Sequence, residues 1–139
     1  MLRDQIKKNT LAFVSLLIAM TSLLYATWRN ENTEYNRNIR SACFEILKSL
    51  GELQTCVHYA YYEKDAKMGD PITGWGRVLL VKDLSMVLPK PGPEAAAKLL
   101  QTWQENFQGI VSEQKSVDAV IAQINQMREA VLDILHSLH

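Results

Sequence analysis

Residues 9–28 read NTLAFVSLLIAMTSLLYATW, and no charged side chain lies between Lys8 and Arg29. A helix rises ~1.5 Å per residue, so this stretch has the length needed to cross ~30 Å of hydrocarbon. Tyr25 and Trp28 lie at its far end, where amphipathic rings favour the lipid headgroup layer. The stretch therefore predicts a single membrane-spanning helix that anchors the chain.

The charges around the anchor predict its orientation. Three basic side chains precede it against one acid, and basic residues are retained on the cytoplasmic side of a membrane. We expect residues 1–8 in the cytoplasm, residues 9–28 in a bacterial inner membrane, and residues 29–139 as a periplasmic domain.

Two other kinds of N-terminal segment begin in the same way. A cleaved signal peptide also has a basic start, but the apolar run here exceeds the roughly 7–15 residues of such signals, and no A-x-A-like cleavage site follows. The layout also resembles that of type IV pilins, whose leader ends in Gly and whose apolar helix carries a Glu near its start. Neither residue is present here, so we interpret residues 9–28 as an uncleaved anchor.

Small side chains recur along one face of the anchor. After Ala12, the residues Ser15, Ala19, Ser22 and Ala26 follow at spacings of three or four. Small residues let membrane helices approach closely, which indicates self-association or docking to another membrane subunit. The alternative is chance, because Ala and Ser are common in such helices.

Two heptad patterns, in residues 39–60 and 117–138, predict the core. Apolar side chains alternate at spacings of three and four, which is typical of helices that pack along a seam. The two helices can be paired antiparallel so that the numbers of two facing residues sum to 177. Every layer of facing residues is then apolar on both sides. The members of the two seams are Ile39, Cys43, Ile46, Leu50, Leu53, Val57 and Ala60, and Val117, Val120, Ile124, Met127, Val131, Ile134 and Leu138.

The segment between the seams predicts two shorter helices. Thr73 is the expected N-cap of the first, which ends before Pro89, and Pro93 suits the first turn of the second. The apolar side chains of the first short helix lie on nearly two sides of it, so we expect its neighbours to cover it well. The predicted fold class is therefore all-α: one N-terminal transmembrane helix followed by an antiparallel four-helix bundle built on two long heptad helices.

Two sets of residues are candidates for interaction. Short helices of about 15 residues reach just over ~20 Å, so they would leave the membrane-proximal half of the long pair uncovered. Exposed apolar patches of that kind usually mark a partner surface. The alternative is that the short helices shift and cover them. The residues in question are Phe44, Leu47, Leu132 and Leu135.

Trp75 and Arg77, in the sequence GWGR, form the second candidate. Trp and Arg are favoured interface anchors, and the flanking glycines indicate a tight approach or a loop. The alternative is that Trp75 packs at the end of the bundle and Arg77 is solvated or ion-paired.

Charge and motifs narrow the function classes. Beyond the anchor there are 12 basic and 14 acidic side chains, so this part of the chain lacks the excess of positive charge that is typical of nucleic-acid binding. Cys43 and Cys56 would lie ~20 Å apart on one helix, too far for a bridge. They are expected to be buried thiols, with a disulfide between two chains through Cys43 as the alternative in an oxidising compartment.

The histidines do not suggest a catalytic or metal site. His58 shares its face with Tyr62 and Asp65, which are too few ligands for zinc, and His136 and His139 lie at the other end of the bundle. No nucleophile–base or phosphate-binding motif occurs. We expect no catalytic residues, no metal and no cofactor.

These features favour a non-enzymatic membrane protein whose bundle binds other envelope proteins or a second copy of itself, at a site near residues 12–47 and 127–138. As the alternative, the layout resembles the periplasmic four-helix sensor domains of chemoreceptors, which implies ligand sensing. With the chain ending outside the membrane at His139, a signal would then pass through a membrane partner.

Overall fold

The structure, a computed structural model, describes residues 2–138, with side chains from Arg3 onward. Met1 and His139, the outer ends of the predicted cytoplasmic and periplasmic segments, lie outside the described residues. The described chain is all-helical and contains no strand. It divides into two compact units between Arg37 and Asn38. Its α-helices are α1 (Leu2–His58), α2 (Pro71–Leu84), α3 (Gly92–Asn106) and α4 (Gln114–Ser137).

The first unit is formed by the N-terminal part of α1. Within residues 2–138, this helix is the one whose length and composition suffice to cross a membrane, and none of its apolar window is buried. Several hydroxyl groups donate to the backbone carbonyl four residues earlier, so each has a hydrogen-bond partner within the helix. They belong to Thr10, Ser15, Thr21 and Thr27.

The second unit has one hydrophobic core to which all four helices contribute. Every member of the first predicted seam is buried, and so is every member of the second except Leu138, which is half-buried. Alternating spacings of three and four keep these side chains on one stripe of each helix. The two heptad patterns therefore mark the faces through which α1 and α4 enter the core.

The end of α1 makes a close turn. After His58 the helix widens into a π-helical segment, Tyr59–Glu63, and Lys64 takes a left-handed conformation with φ 52°. Asp65 then leaves the helix, because its carboxylate accepts the N–H groups of residues 67 and 68 at 2.8 and 3.0 Å. The predicted shared face of His58 and Asp65 is therefore wrong.

Helix α2 begins earlier than expected. Its N-cap is Asp70 and not Thr73: Asp70 Oδ1 accepts the Ile72 N–H at 3.0 Å, and Pro71 is the first helical residue. The Thr73 hydroxyl donates to the same carboxylate at 3.2 Å. An Asp cap followed by a proline with preset φ starts a helix, so α2 begins three residues before the expected cap.

The expectation that α2 is well covered is also wrong. Its inner side is buried at Gly74, Val78 and Val81. Large apolar side chains on its outer side are exposed, among them Ile72 and Leu79. Helix α3 packs against the buried side, where Trp103 lies against Gly74, so only half of the apolar surface of α2 enters the core.

Helix α3 follows the sequence prediction more closely. Pro93 and Glu94 lie in its first turn, and Ala96, Leu99 and Trp103 are buried. After α3 ends, the 3₁₀ turn Gly109–Val111 leads into α4 and buries Ile110. This turn contacts the π-helical segment that follows α1. The start of α4 therefore lies at the same end of the unit as the end of α1.

Candidate interaction surfaces

The predicted small-residue face of the anchor is exposed along its length. Ser15, Ala19, Ser22 and Ala26 are all solvent-accessible within the first unit, and their spacing places them on one side of α1. The Ser15 hydroxyl donates to the Leu11 carbonyl at 2.8 Å, so it presents little polar character to a neighbour. The role of this face in association remains a prediction.

The four apolar residues predicted as a strip fall into two pairs. Phe44 is 62% exposed and Leu132 is 38% exposed, while Leu47 and Leu135 are half-buried and pack against the core. What remains available to a partner is therefore Phe44 and Leu132.

Trp75 packs within the second unit. Its ring lies edge-on to Trp103, with centroids 6.4 Å apart, and to Phe107, with centroids 5.4 Å apart. A Cβ on Gly74 would overlap the six-membered ring of Trp103, whereas one on Gly76 would meet nothing within 4 Å. The first glycine of GWGR thus serves a tight approach, and the second leaves an open position on the surface.

Arg77 is ion-paired. Its Nη1 lies 2.7 Å from Glu52 Oε2, with both side chains a little over one-third exposed. The pair joins α2 to α1. It lies beside a groove of about 470 Å³, to which Lys48 and Lys67 bring two further positive charges.

This groove was not apparent from the sequence, because its lining comes from separated segments. Three cationic side chains against one carboxylate give it a positive character that suits an anionic ligand. A Cβ on Gly51 would meet nothing within 4 Å, so the groove stays open there. The remaining lining residues are Thr55, Cys56, Met68 and Thr73.

Both cysteines are free and buried. Burial raises the pKa of the Cys56 thiol above its ordinary value of 9.0; the Asp70 carboxylate raises this pKa further, and the Gly74 N–H lowers it. Burial also raises the pKa of Cys43. Thiols that are buried and protonated are poor nucleophiles. Because Cys43 has no exposed surface, a disulfide between chains would require α1 to open there.

His58 lies on the surface at the end of α1. Its ring stands edge-on to Tyr62, with centroids 5.8 Å apart. Throughout the part of the chain that the structure describes, no group of three or more His, Cys, Asp or Glu side chains is placed to hold a metal ion.

The sequence did not predict that one apolar side of α2 is exposed. We define the α2 outer face as the side of the helix, and of the 3₁₀ turn Ser85–Val87 that follows, which points away from the core. Its large apolar side chains are between 37% and 78% exposed. The face consists of Ile72, Gly76, Leu79, Leu80, Asp83, Met86 and Val87.

Comparisons with protein-family models, with curated proteins and with solved structures find no match to this chain.

Proposed function

We propose that this protein is a single-pass, membrane-anchored helical-bundle protein that acts as an interaction or assembly component of the bacterial cell envelope. In this proposal residues 9–28 span the inner membrane, residues 1–8 are cytoplasmic and residues 29–139 form a periplasmic antiparallel four-helix bundle. Its role is to bind proteins and not to catalyse a reaction.

The observation that carries the proposal is the exposed apolar window of α1. An apolar run of this length would be unfavourable in water, since each fully exposed Leu or Phe forgoes about 1.5–3 kcal/mol of burial free energy. None of this window is buried by the rest of the chain. Tyr25 and Trp28, with ring centroids 6.2 Å apart, supply an aromatic pair at the end where a headgroup layer would lie.

Two contacts support the antiparallel pairing of α1 with α4. At the end of α1, Lys64 Nζ donates to the Val111 carbonyl at 2.6 Å, just before α4 begins. Farther along α4, Arg128 Nη2 donates to Gln54 Oε1 at 2.8 Å. The register in which residue numbers sum to 177 predicts a crosslink between cysteines at positions 46 and 131. Failure of this crosslink, together with success at 46 and 124, would overturn the register.

The exposed apolar side chains support a binding role. Phe44, Leu132 and the α2 outer face present apolar side chains that are between 37% and 78% exposed. Contiguous apolar patches on a protein surface usually mark sites of association.

Cysteine labelling tests the anchor and its orientation. In intact spheroplasts, a membrane-impermeant maleimide should label the Gln104→Cys variant and should label Lys8→Cys only after the membrane is permeabilised. The wild-type protein is the control, since its own cysteines are buried. Release of the protein by carbonate washing would contradict the anchor, and the opposite labelling pattern would contradict the orientation.

Recovery of partners in mild detergent tests the binding role. Mass spectrometry of the purified complex should identify further envelope proteins or a second copy of the chain. The Phe44→Ser variant should recover less of any partner that binds near the membrane, while Gln104→Ser, an exposed polar site on α3, should recover as much as the wild type. Recovery of the protein alone and as a monomer would refute the proposal.

The groove beside Arg77 favours ligand sensing as the second candidate. Its three cations would attract a small anion such as inorganic phosphate or a dicarboxylate. A thermal-shift titration in detergent with phosphate and with succinate should raise the melting temperature of the wild type and leave that of Arg77→Gln unchanged. No shift with either anion would remove this candidate.

A further inference from the structure

We propose that the groove beside Arg77 binds a polyhydroxylated organic anion, such as a sugar acid or a sugar phosphate. Cationic side chains of the groove hold the anionic group of this ligand, and threonine oxygens accept hydrogen bonds from its hydroxyl groups. This inference rests on the second proposed function, ligand sensing at the same groove, and deepens it by naming the class of ligand.

The first argument is that the groove contains positive charge that the protein does not neutralise. Lys48 and Lys67 line the groove, and neither ammonium group has an ion-pair partner among the described residues. Arg77 pairs with Glu52 at 2.7 Å, and a guanidinium group has further N–H donors to offer. A cleft lined by charge of one sign concentrates ions of the opposite sign. An anion in this groove would therefore meet three cations and one carboxylate.

The second argument is a glycine that lines the groove. Gly51 lies within α1, three residues after Lys48, and glycine inside a helix lowers its stability relative to alanine. A Cβ on Gly51 would meet nothing within 4 Å, so no close packing contact requires the missing side chain. The groove volume of about 470 Å³ falls within the range of roughly 300–1,000 Å³ that is usual for small-molecule sites. The glycine therefore keeps this space open for a ligand.

The third argument concerns the hydroxyl groups of the two threonines in the groove. Thr55 Oγ1 donates to the Gly51 carbonyl at 2.9 Å, and Thr73 Oγ1 donates to Asp70 Oδ2 at 3.2 Å. A hydroxyl group has one hydrogen and two lone pairs, so each oxygen has only acceptor capacity left for a ligand. A simple dicarboxylate has no hydrogen to donate at neutral pH, whereas the hydroxyl groups of a sugar acid do.

Cations and acceptor oxygens occur together on both walls of the groove. On α2, Thr73 and Arg77 are four residues apart, which places their Cβ atoms ~5–6 Å from each other. On α1, Lys48 and Thr55 are seven residues apart, which is ~10 Å along the helix axis. Met68, which is 50% exposed, also lines the groove and offers an apolar contact to the C–H groups of a sugar. A ligand that carries an acid group and several hydroxyl groups on a short carbon chain matches this distribution.

Calorimetric titration of the full-length protein in mild detergent tests the proposal. D-glucarate and adipate are dicarboxylates of the same chain length and charge, and only glucarate has hydroxyl groups. Glucarate should bind about tenfold more tightly, because each additional hydrogen bond strengthens binding by a factor of about two to ten. A higher salt concentration should weaken the binding of both compounds, because salt screens the attraction between ligand and cations.

Matched variants locate the ligand. Thr55→Val keeps the shape of the side chain and removes the acceptor, so it should reduce the preference for glucarate severalfold without changing the affinity for adipate. Thr33→Val is its control, because Thr33 makes the same kind of hydroxyl bond on α1 outside the groove. Gly51→Leu should abolish the binding of both compounds with an unchanged helical circular dichroism spectrum. Gly76→Leu, which also fills open space but lies on the α2 outer face, should bind as the wild type does.

Glucose 6-phosphate and glucose identify the anionic group. Tighter binding of glucose 6-phosphate than of glucarate would assign the site to sugar phosphates, and the opposite order would assign it to sugar acids. Glucose should bind much more weakly than either. Glucose that binds as tightly as the two anions would refute the role of the cations.

Three results would overturn the proposal. Equal affinities for glucarate and adipate would refute recognition of the hydroxyl groups, whereas ligand sensing would still hold if succinate or phosphate raises the melting temperature. Binding that is unchanged in both Thr55→Val and Gly51→Leu would place the ligand outside this groove. No binding of any of these compounds would refute the ligand class, and the titrations with phosphate and succinate then decide separately whether the sensing function survives.

Discussion

The contact between Gly74 and Trp103 yields a sharp prediction about stability. A methyl group on Gly74 would lie closer than 3.0 Å to the Trp103 ring, a separation that real Cβ atoms essentially never show. Trp103 is fully buried and has Trp75 packed edge-on against it, so the ring cannot move aside without disturbing α3. Overpacking of this kind costs about 1–3 kcal/mol.

The substitution Gly74→Ala also gains helix propensity, which offsets about 1 kcal/mol of that cost. We therefore expect the free energy of unfolding of Gly74→Ala to fall by up to about 2 kcal/mol. Gly76→Ala, two residues along the same helix, adds its methyl in open space. Its free energy of unfolding should rise by up to about 1 kcal/mol from propensity alone.

The measurement is urea denaturation of the full-length protein in detergent, followed by circular dichroism. Gly51→Ala repeats the control on α1, outside the α2 outer face, because its methyl also meets nothing within 4 Å. For a domain of about 100 residues, 1 kcal/mol corresponds to roughly 4–8 °C in melting temperature. The Gly74 and Gly76 variants should therefore be easy to distinguish.

A second substitution identifies the cause. Trp103→Phe removes the ring atoms that the Gly74 methyl would overlap, and it sacrifices no hydrogen bond, because Trp103 Nε1 has no partner among the described residues. The double variant should be less destabilised than the two single variants together, with a coupling energy in the range of about 0.5–3 kcal/mol seen for contacting residues. Additive effects, or a Gly74→Ala protein as stable as Gly76→Ala, would refute the close approach.

Three further predictions concern single contacts. Removing the pair of Arg77 and Glu52, whose side chains are each a little over one-third exposed, should cost at most about 1 kcal/mol. A double-mutant cycle measured by urea unfolding should show that the coupling energy shrinks in high salt. In the same assay, Asp70→Ala should lower the free energy of unfolding by about 1 kcal/mol, because α2 loses its N-cap. Asp70→Asn should keep most of the stabilisation that the cap provides, because Asn also caps helices. The raised pKa of Cys56 keeps its thiol neutral in the folded state, so its stabilisation is complete below pH 9.0 and is lost as the pH rises through the folded-state pKa. As the pH is raised above 9.0, the free energy of unfolding of Cys56→Ala should therefore fall less than that of the wild type. An equal fall in both proteins would contradict the conclusion that burial raises the pKa of Cys56.

The heptad seams show what the sequence could predict. A spacing that alternates between three and four residues confines side chains to one stripe of a helix, and burying that stripe dominates the stability of a small helical domain. The pattern therefore identified the buried positions on α1 and α4 without knowledge of the neighbouring helices. On α3, Leu99 and Trp103 are buried with a spacing of the same kind.

The features that sequence analysis missed depend on neighbours and not on periodicity. The start of α2 at Asp70, three residues before the expected cap at Thr73, is one of them. An Asp-Pro pair is common both in turns and at helix starts, and only the hydrogen bond to the Ile72 N–H distinguishes the two. The basic groove joins Lys48 to Lys67 and Arg77, which lie on separate segments. The amino-acid sequence contains no pattern that predicts that these three basic side chains lie in one groove.

The exposure of α2 changes where an interaction site is expected. The sequence favoured the region near the anchor, but two of the four predicted strip residues pack against the core, which leaves Phe44 and Leu132. Each large apolar side chain that leaves water contributes about 1.5–3 kcal/mol, so the five on the α2 outer face can contribute more than the two near the anchor. In the partner-recovery experiment in mild detergent, Leu79→Ser should therefore lose more of the recovered partner than Phe44→Ser does, and the opposite order would contradict this reasoning.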